Sequence, residues 1–223
     1  MKYSIVTLFP ESIQPYLDSS ILGRAQRDKK ITISYYNPRD YTRDPRRRVD
    51  QRPYGGGPGM VLEAEPLLRA IDAAHKKAAG RTKRKIKTLV VFFVPSGKVF
   101  TQTEAKKYTA YQHIIFICGR YEGIDERVAK ITRAKKISVG EFVLTGGELP
   151  AALMIDAISR NIPGILGSED SREDERISSP AVYTRPEVLT WKKKNYHVPK
   201  VLIGGNHKKI DEWREAESLK MQK

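Results

Sequence analysis

The hydrophobic residues of this chain fall into short continuous runs. Three runs rich in β-branched and aromatic residues, at 3–8, 88–94 and 113–118, have the length and composition of buried strands. A fourth run, at 136–144, is interrupted by polar residues and glycine. The pattern therefore predicts four strands, of which the fourth is the least regular.

Helical patterns separate these runs. They lie at 63–77 and 103–108, and a third follows at 150–160 behind Pro150, a residue suited to the first turn of a helix. Strands that alternate with helices predict an α/β fold with a mainly parallel sheet.

The end of the chain has a different composition. Residues 161–181 contain proline, glycine and a dense run of charge, which is typical of a linker. Residues 208–220 have helical composition. We therefore predict an α/β domain over 1–160, a linker over 161–181 and a small, mostly helical piece over 182–223.

The charge balance indicates a polyanionic partner. Lysine and arginine total 41 against 26 aspartate and glutamate residues, so the formal net charge is +15. Ribosomal and membrane-surface proteins share such a balance, so charge alone does not name the partner. Five arginines in 39–48 precede a glycine loop and suit phosphate contacts, whereas the seven basic residues of 76–87 fit a solvated loop equally well.

Other features bear on location. Cys118 is the single cysteine, so no disulfide can form within the chain. No apolar stretch approaches the roughly 18–20 residues of a membrane span, and the first residues read as a strand rather than a signal peptide. We therefore expect a cytoplasmic protein without a membrane partner.

Nine of the sixteen glycines lie in three windows, at 55–59, 119–123 and 140–147. The first window lacks the Lys-Ser/Thr ending of a phosphate-binding P-loop and the context of a dinucleotide-binding turn. The second and third follow predicted strands, where α/β sheets bind ligands. Glycine there lets main-chain groups approach a flat heterocycle, which suits a nucleoside cofactor, although tight turns without a ligand would also use glycine.

Four motifs together resemble the TrmD family of bacterial tRNA (guanine-N1)-methyltransferases. They are Val-Asp-Gln-Arg-Pro-Tyr-Gly-Gly-Gly-Pro-Gly-Met at 49–60, Gly-Arg-Tyr-Glu-Gly-Ile-Asp-Glu-Arg at 119–127, Ser-Val-Gly-Glu-Phe-Val-Leu-Thr-Gly-Gly-Glu-Leu-Pro at 138–150 and Tyr-Thr-Arg-Pro-Glu at 183–187. They run in the family's order over most of the chain.

The resemblance implies an enzyme of the SPOUT class that uses S-adenosylmethionine to methylate N1 of the guanosine just 3′ to the anticodon of tRNA. It also implies a deep trefoil knot in the α/β domain, an obligate homodimer with active sites at the subunit interface, and a small C-terminal domain that grips tRNA. A general rule of chain topology would argue against a knot. The resemblance also implies that Mg²⁺ assists catalysis. The sequence assigns no metal site, because the four histidines are scattered along the chain.

The resemblance assigns site residues by position. The cofactor residues are Phe92, Phe93, Val94, Pro95, Ser96, Gly119, Tyr121, Glu122, Ser138, Val139, Gly140, Phe142, Leu144, Gly146 and Gly147. The tRNA residues are Asp50, Arg52, Tyr54, Gly55, Gly57, Pro58, Tyr183 and Arg185. Tyr121 would pack the adenosine and Glu122 would orient the methionine end, although Tyr121 could instead fill the core and Glu122 could cap a helix.

The reaction itself sets two further requirements. Guanine N1 carries a hydrogen, so a general base must remove it, and a cation near O6 must stabilise the charge that develops. The resemblance gives the cation to Arg160 and the base to Asp174, which in the family reaches in from the partner subunit. The linker is shorter than is usual in the family, so Asp170 is the alternative base.

The sequence departs from the family at a few places. Val94-Pro95-Ser96 stands where the family usually has Ser-Pro-Gln, and the C-terminus is abbreviated. Two rival functions are another SPOUT methyltransferase with a different nucleoside target and a non-catalytic RNA-binding protein. The intact cofactor loops disfavour the second, and Arg160 with the motif at 183–187 disfavours the first.

Overall fold

A computed structural model describes residues 1–80, 86–166 and 181–221. The chain divides into two compact units, Met1–Ile165 and Leu166–Lys223. Most of the linker predicted at 161–181 lies outside the described residues.

The first unit is built on a five-stranded sheet in which every neighbouring pair is parallel. Its strands are β1 (Lys2–Val6), β2 (Thr32–Tyr36), β5 (Thr88–Val99), β6 (His113–Ile117) and β7 (Lys135–Ser138), in the order β2-β1-β6-β5-β7. A separate antiparallel pair consists of β3 (Asp50–Gln51) and β4 (Val61–Leu62).

Helices cover both faces of this sheet. They are α1 (Gln14–Leu17), α2 (Ser20–Arg27), α3 (Ala64–Ala79), α4 (Gln102–Tyr108), α5 (Glu126–Thr132) and α6 (Glu148–Ser159), with short 3-10 turns at Pro10–Ser12 and Pro38–Asp40. Among the described residues, none of the helices is both long and apolar enough to cross a membrane.

Two hydrophobic layers sandwich the sheet because successive strand residues point to opposite faces. Ile114 and Phe116 of β6 pack in the layer that contains α2, α4 and α6, whereas Ile115 and Ile117 pack in the layer that contains α3 and α5. Both faces of β6 are fully buried, which explains why its sequence is a continuous apolar run.

The predicted α/β class and parallel sheet are confirmed, as are the strands near 3–8, 88–94 and 113–118 and the helices near 63–77, 103–108 and 150–160. The fourth predicted strand, 136–144, is wrong beyond Ser138. There the Ser138 hydroxyl donates to the Gly140 carbonyl oxygen at 2.9 Å and accepts from the Gly140 N–H at 3.2 Å, which turns the chain out of the sheet.

The second unit contains more than helix. A hairpin of β8 (Val188–Trp191) and β9 (Lys194–His197) precedes α7 (Lys200–Ile203) and α8 (His207–Met221). The helix predicted at 208–220 is confirmed, but the hairpin was not predicted. Its two turn residues, Lys192 and Lys193, both have positive φ angles, a geometry that usually selects glycine or asparagine.

His113 of β6 is a fully buried histidine inside the sheet. Its Nε2 lies 2.9 Å from the Ser4 hydroxyl oxygen, and its ring meets that of His75 edge-on at 6.0 Å between centroids. Burial, together with the positive charges of His75 and Lys2, lowers the pKa of His113 to about 4 from an ordinary value of 6.5. The folded protein therefore holds this ring neutral well below neutral pH.

We expect stability to fall as the pH drops from about 6.5 towards 4, because the unfolded chain takes up this proton before the folded one does. The loss from His113 between pH 7 and pH 5 should be about 2 kcal/mol. Urea unfolding at both pH values measures it, and a His113→Gln protein should show a correspondingly flatter pH dependence. An equally steep dependence in that variant would refute the assignment.

Candidate active site

A pocket of about 470 Å³ lies at the carboxyl ends of β5, β6 and β7. Three segments form most of it: residues 92–95 within β5, the loop at 119–123 after β6, and the loop at 139–147 after β7. The pairing of β5 with β7 is interrupted between Phe93 and Lys98, which shows that β5 bulges there. This is the edge of the sheet where α/β proteins bind ligands.

The structure brings together fourteen of the fifteen residues predicted to bind a cofactor. The lining contains Phe92, Phe93, Val94, Pro95, Gly119, Tyr121, Glu122, Ser138, Val139, Gly140, Phe142, Leu144, Gly146 and Gly147. Ser96 is exposed and outside the lining. Arg120, Val143 and Thr145 of the predicted cofactor segments, 92–96, 119–122 and 138–147, also line the pocket, and the lining residues outside those segments are Gly123, Ile124, Ile137 and Pro150.

A main-chain hydrogen bond joins two of the loops that line the pocket. The Gly147 N–H donates to the Gly119 carbonyl oxygen at 3.1 Å, so the second and third glycine loops are directly joined. A Cβ added at Gly147 would lie 2.6 Å from the Cα of Cys118 and 3.1 Å from the Phe93 ring. Only a residue without a side chain allows the third loop to pass this close to the end of β6.

A polar chain lies behind the pocket wall. The Thr7 hydroxyl donates to Glu148 Oε1 at 2.7 Å, and Glu148 Oε2 forms an ion pair with Arg120 Nε at 3.1 Å. Glu148 is only 3% exposed, so this charge depends on its partners. The Arg120 guanidinium also stacks over the Phe9 ring, 4.7 Å from its centroid. Arg120 is therefore held in place on the pocket wall.

The structure contradicts both alternative roles, that Tyr121 fills the core and that Glu122 caps a helix. Tyr121 is 52% exposed, so it does not fill the core. The cap of α5 is Asp125, whose carboxylate accepts from the Arg127 N–H, so Glu122 does not cap that helix. Both side chains are left available to the pocket that they line.

The first glycine loop, residues 52–60, connects β3 to β4 and docks on the second. The Leu62 N–H donates to the Gly123 carbonyl oxygen and the Glu122 N–H to the Met60 carbonyl oxygen, both at 3.0 Å. Six of the predicted tRNA residues belong to this region: Asp50, Arg52, Tyr54, Gly55, Gly57 and Pro58. They lie outside the lining of the pocket, and Tyr54 is fully exposed.

A model of one family matches residues 1–223, the tRNA (Guanine-1)-methyltransferase TrmD family. The chain belongs to the TrmD family. It is 42% identical over 221 residues to a tRNA (guanine-N(1)-)-methyltransferase of Pseudoalteromonas atlantica, covering 97% of this chain and 80% of that protein. It is 44% identical to a protein of the same name from Carboxydothermus hydrogenoformans, covering 98% and 83%, and 43% identical to one from Clostridioides difficile, covering 100% and 94%.

Five predicted residues of this TrmD-family protein remain: Arg160, Asp174, Asp170, Tyr183 and Arg185. Arg160 follows α6, is half-buried and does not line the pocket. Asp174 and Asp170 fall outside the described residues. Tyr183 and Arg185 belong to the second unit, where the Tyr183 ring packs 6.3 Å from that of Trp213. The described residues contain no group of three or more His, Cys, Asp or Glu side chains placed to hold a metal ion.

Gly147→Ala tests the close approach of the loops. The φ and ψ angles of Gly147, −86° and −2°, suit alanine, so the penalty is the clash of the added Cβ with Cys118 and, less severely, with the Phe93 ring. We expect a loss of about 1–3 kcal/mol in unfolding free energy, measured by urea titration. Gly204→Ala is the control, because its φ is −75° and its nearest neighbour would be 3.7 Å away, so its stability should change by less than about 0.5 kcal/mol. Equal stability of both variants would contradict this account.

Proposed function

We propose that this chain transfers a methyl group from S-adenosylmethionine to N1 of the guanosine 3′-adjacent to the anticodon, G37 of tRNA. The observation that carries the proposal is the pocket at the strand ends, whose lining contains fourteen of the fifteen residues that the family resemblance assigns to the cofactor. Membership of a family named for tRNA (guanine-1) methylation supports the same reaction.

The pocket suits a nucleoside with a charged tail. Its wall combines the apolar side chains of Phe92, Ile137 and Leu144 with main-chain groups of the glycine loops, which can pack and read a flat base. Arg120 and Glu122 bring opposite charges to the same lining, as the carboxylate and ammonium groups of a methionine tail require. S-adenosylmethionine bound there would supply an electrophilic methyl group on its sulfonium.

The protein has to prepare guanine N1 for attack. A carboxylate of the linker, Asp174 with Asp170 as the alternative, accepts the N1 proton as general base. The Arg160 guanidinium stabilises the negative charge that develops on O6. Asp50 of β3 and five residues of the first glycine loop, Arg52, Tyr54, Gly55, Gly57 and Pro58, hold the target nucleotide against the pocket. Tyr183 and Arg185 contact the tRNA from the second unit. The steps at N1 and O6 proposed here do not involve Mg²⁺.

The proposed enzyme is a homodimer with active sites at the interface. Apolar side chains are exposed beside the pocket: Val143 is 83%, Leu149 63% and Leu153 46% exposed, and the two leucines share one face of α6. A second copy that covers this surface would remove it from water. Arg160 lies outside the lining of the pocket, and the family resemblance places the general base on the partner subunit.

The proposal includes the trefoil knot of the SPOUT class. Its support is the tight packing around the third loop. A Cβ at Gly147 would contact the Cys118 backbone, and one at Gly97 would lie 2.7 Å from the Ile137 nitrogen. A chain segment drawn closely through another loop requires such small residues where backbones cross.

Methyl transfer to paired transcripts tests the function. The protein is incubated with labelled S-adenosylmethionine and two tRNA transcripts that differ only in guanosine or adenosine at position 37. We expect label on the guanosine transcript alone, recovered as 1-methylguanosine after digestion. Label on both transcripts, or on neither, would overturn the proposal.

The choice between the two aspartates has its own test. Asp174→Asn should lower kcat by about 10²–10⁴-fold while leaving binding of S-adenosylmethionine intact, because only the proton acceptor is lost. Asp170→Asn, in the same acidic segment, is the matched control and should retain most activity. The reverse pattern would assign the base to Asp170.

Mixing two inactive variants tests the shared site. Arg160→Ala and Asp174→Asn subunits, refolded together at equal amounts, would form heterodimers with one intact site each. Activity should then return to about a quarter of the wild-type value if each site uses Arg160 of one subunit and the base of the other. A mixture as inactive as its components would show that each site lies within one subunit.

A further inference from the structure

A second cavity, of about 440 Å³, lies in the first unit and is lined mainly by guanidinium groups. Its lining consists of Asn37, Arg39, Arg46, Arg47, Arg48 and Asp50. These residues, called here the arginine pocket, come from the turn after β2 and the segment that leads into β3. Four arginines and one carboxylate give this lining a net positive charge.

Hydrogen bonds hold this segment in shape. The Asp44 carboxylate accepts from the Arg46 N–H at 2.7 Å and from Nε and Nη2 of the Arg48 side chain at 3.1 and 2.9 Å. Arg47 pairs with Asp40, and its Nε donates to the Arg39 carbonyl oxygen at 3.2 Å. The backbone of the segment and the guanidinium groups of Arg47 and Arg48 are therefore positioned before any ligand arrives, which lowers the entropic cost of binding.

Two of the four arginine side chains of the arginine pocket form no ion pair with a carboxylate of the described residues. Arg47 and Arg48 have carboxylate partners, but the side chains of Arg39 and Arg46 have none among residues 1–80, 86–166 and 181–221. Guanidinium groups that converge on one cavity match the oxygens of a phosphate, which they bind in a two-point fork. The lining holds no aromatic ring on which a base could stack. This chemistry fits a backbone phosphate better than a free nucleotide.

The arginine pocket adjoins the pocket at the strand ends. The Arg39 guanidinium lies 5.9 Å from the centroid of the Phe9 ring, and that of Arg120, in the wall of the other pocket, lies 4.7 Å from the same centroid. Asp50 also begins β3, which leads into the first glycine loop. An anion in the arginine pocket would thus lie beside the place proposed for the target nucleotide.

We propose that the arginine pocket binds one backbone phosphate of the RNA strand that carries the target guanosine. The bound phosphate sets the position of the strand, and the first glycine loop and the pocket at the strand ends then receive the base. This inference rests on the proposed function for the identity of the strand. The positive cavity itself does not depend on it.

Arg46→Gln tests the inference, because this exposed side chain lines the cavity while only its backbone N–H contacts Asp44. The measurement is the dissociation constant for the unmodified tRNA transcript over a range of salt concentrations. The slope of log Kd against log salt should fall by about 0.7–0.9, the change for one lost phosphate contact. Arg39→Gln should act in the same direction.

Arg43→Gln is the matched control. It removes the same charge from the same segment, but Arg43 pairs with Glu65 at 3.5 Å and does not line the cavity. We expect a smaller change in affinity and salt slope than for Arg46→Gln. Equal effects of the two variants would show that the arginine pocket contributes only general surface charge to RNA binding, and would overturn the inference.

Neutral backbone substitutions identify the phosphate. Anticodon stem-loops carrying a single methylphosphonate, placed in turn at each linkage near the target guanosine, are bound to the wild-type protein and to Arg46→Gln. One position should weaken binding to the wild type and have no further effect on the variant. If the methylphosphonate at every position weakens binding to Arg46→Gln as much as it weakens binding to the wild type, the arginine pocket does not bind a backbone phosphate.

The two proposals fail separately. A wild-type protein that shows this non-additivity but transfers no methyl group would retain the arginine pocket and refute the methyltransferase assignment. A protein that methylates the guanosine transcript but shows no coupled position would retain the enzyme and refute the pocket.

Discussion

The close approach of residues 139–147 to the end of β6 determines the shape of the whole site. The Gly147 N–H binds the Gly119 carbonyl oxygen, and the absence of a side chain at Gly147 lets the loop rest on the Cys118 backbone. This contact closes the floor of the pocket and starts α6 directly behind it. The position of the first glycine loop depends on the second loop. The Glu122 N–H donates to the Met60 carbonyl oxygen, and the N–H of Leu62, just after the first loop, donates to the Gly123 carbonyl oxygen.

Specific contacts hold charged side chains in place beside the pocket. Glu148, at the start of α6, holds Arg120 in the pocket wall while Thr7 holds Glu148. The guanidinium groups of Arg120 and Arg39 both contact the Phe9 ring, so the pocket at the strand ends and the arginine pocket are neighbours. A methyl donor and a polyanionic acceptor would therefore be received by neighbouring, preformed sites, which is how an enzyme brings two reactants into register.

The sequence predicts what local pattern encodes. The continuous apolar run at 113–118 predicts a strand correctly because both faces of β6 are buried. The glycine motifs likewise locate the loops that line the pocket. By contrast, β2 was missed because Thr32–Tyr36 lies at the sheet edge and is half-exposed, and the hairpin was missed because its turn uses Lys192 and Lys193. The Thr7–Glu148–Arg120 chain joins residues far apart in sequence, so no spacing reveals it. The resemblance, not periodicity, supplied the catalytic roles.

The central claim is that main-chain groups of the second and third glycine loops form a site for S-adenosylmethionine. Backbone amide hydrogen exchange with and without this ligand tests it most directly, because exchange reports on those amides themselves. The account predicts that the ligand slows exchange most strongly within 119–123 and 139–147, while β8 and β9 of the second unit are unaffected. Unchanged exchange in both loops at a saturating concentration of ligand would contradict it.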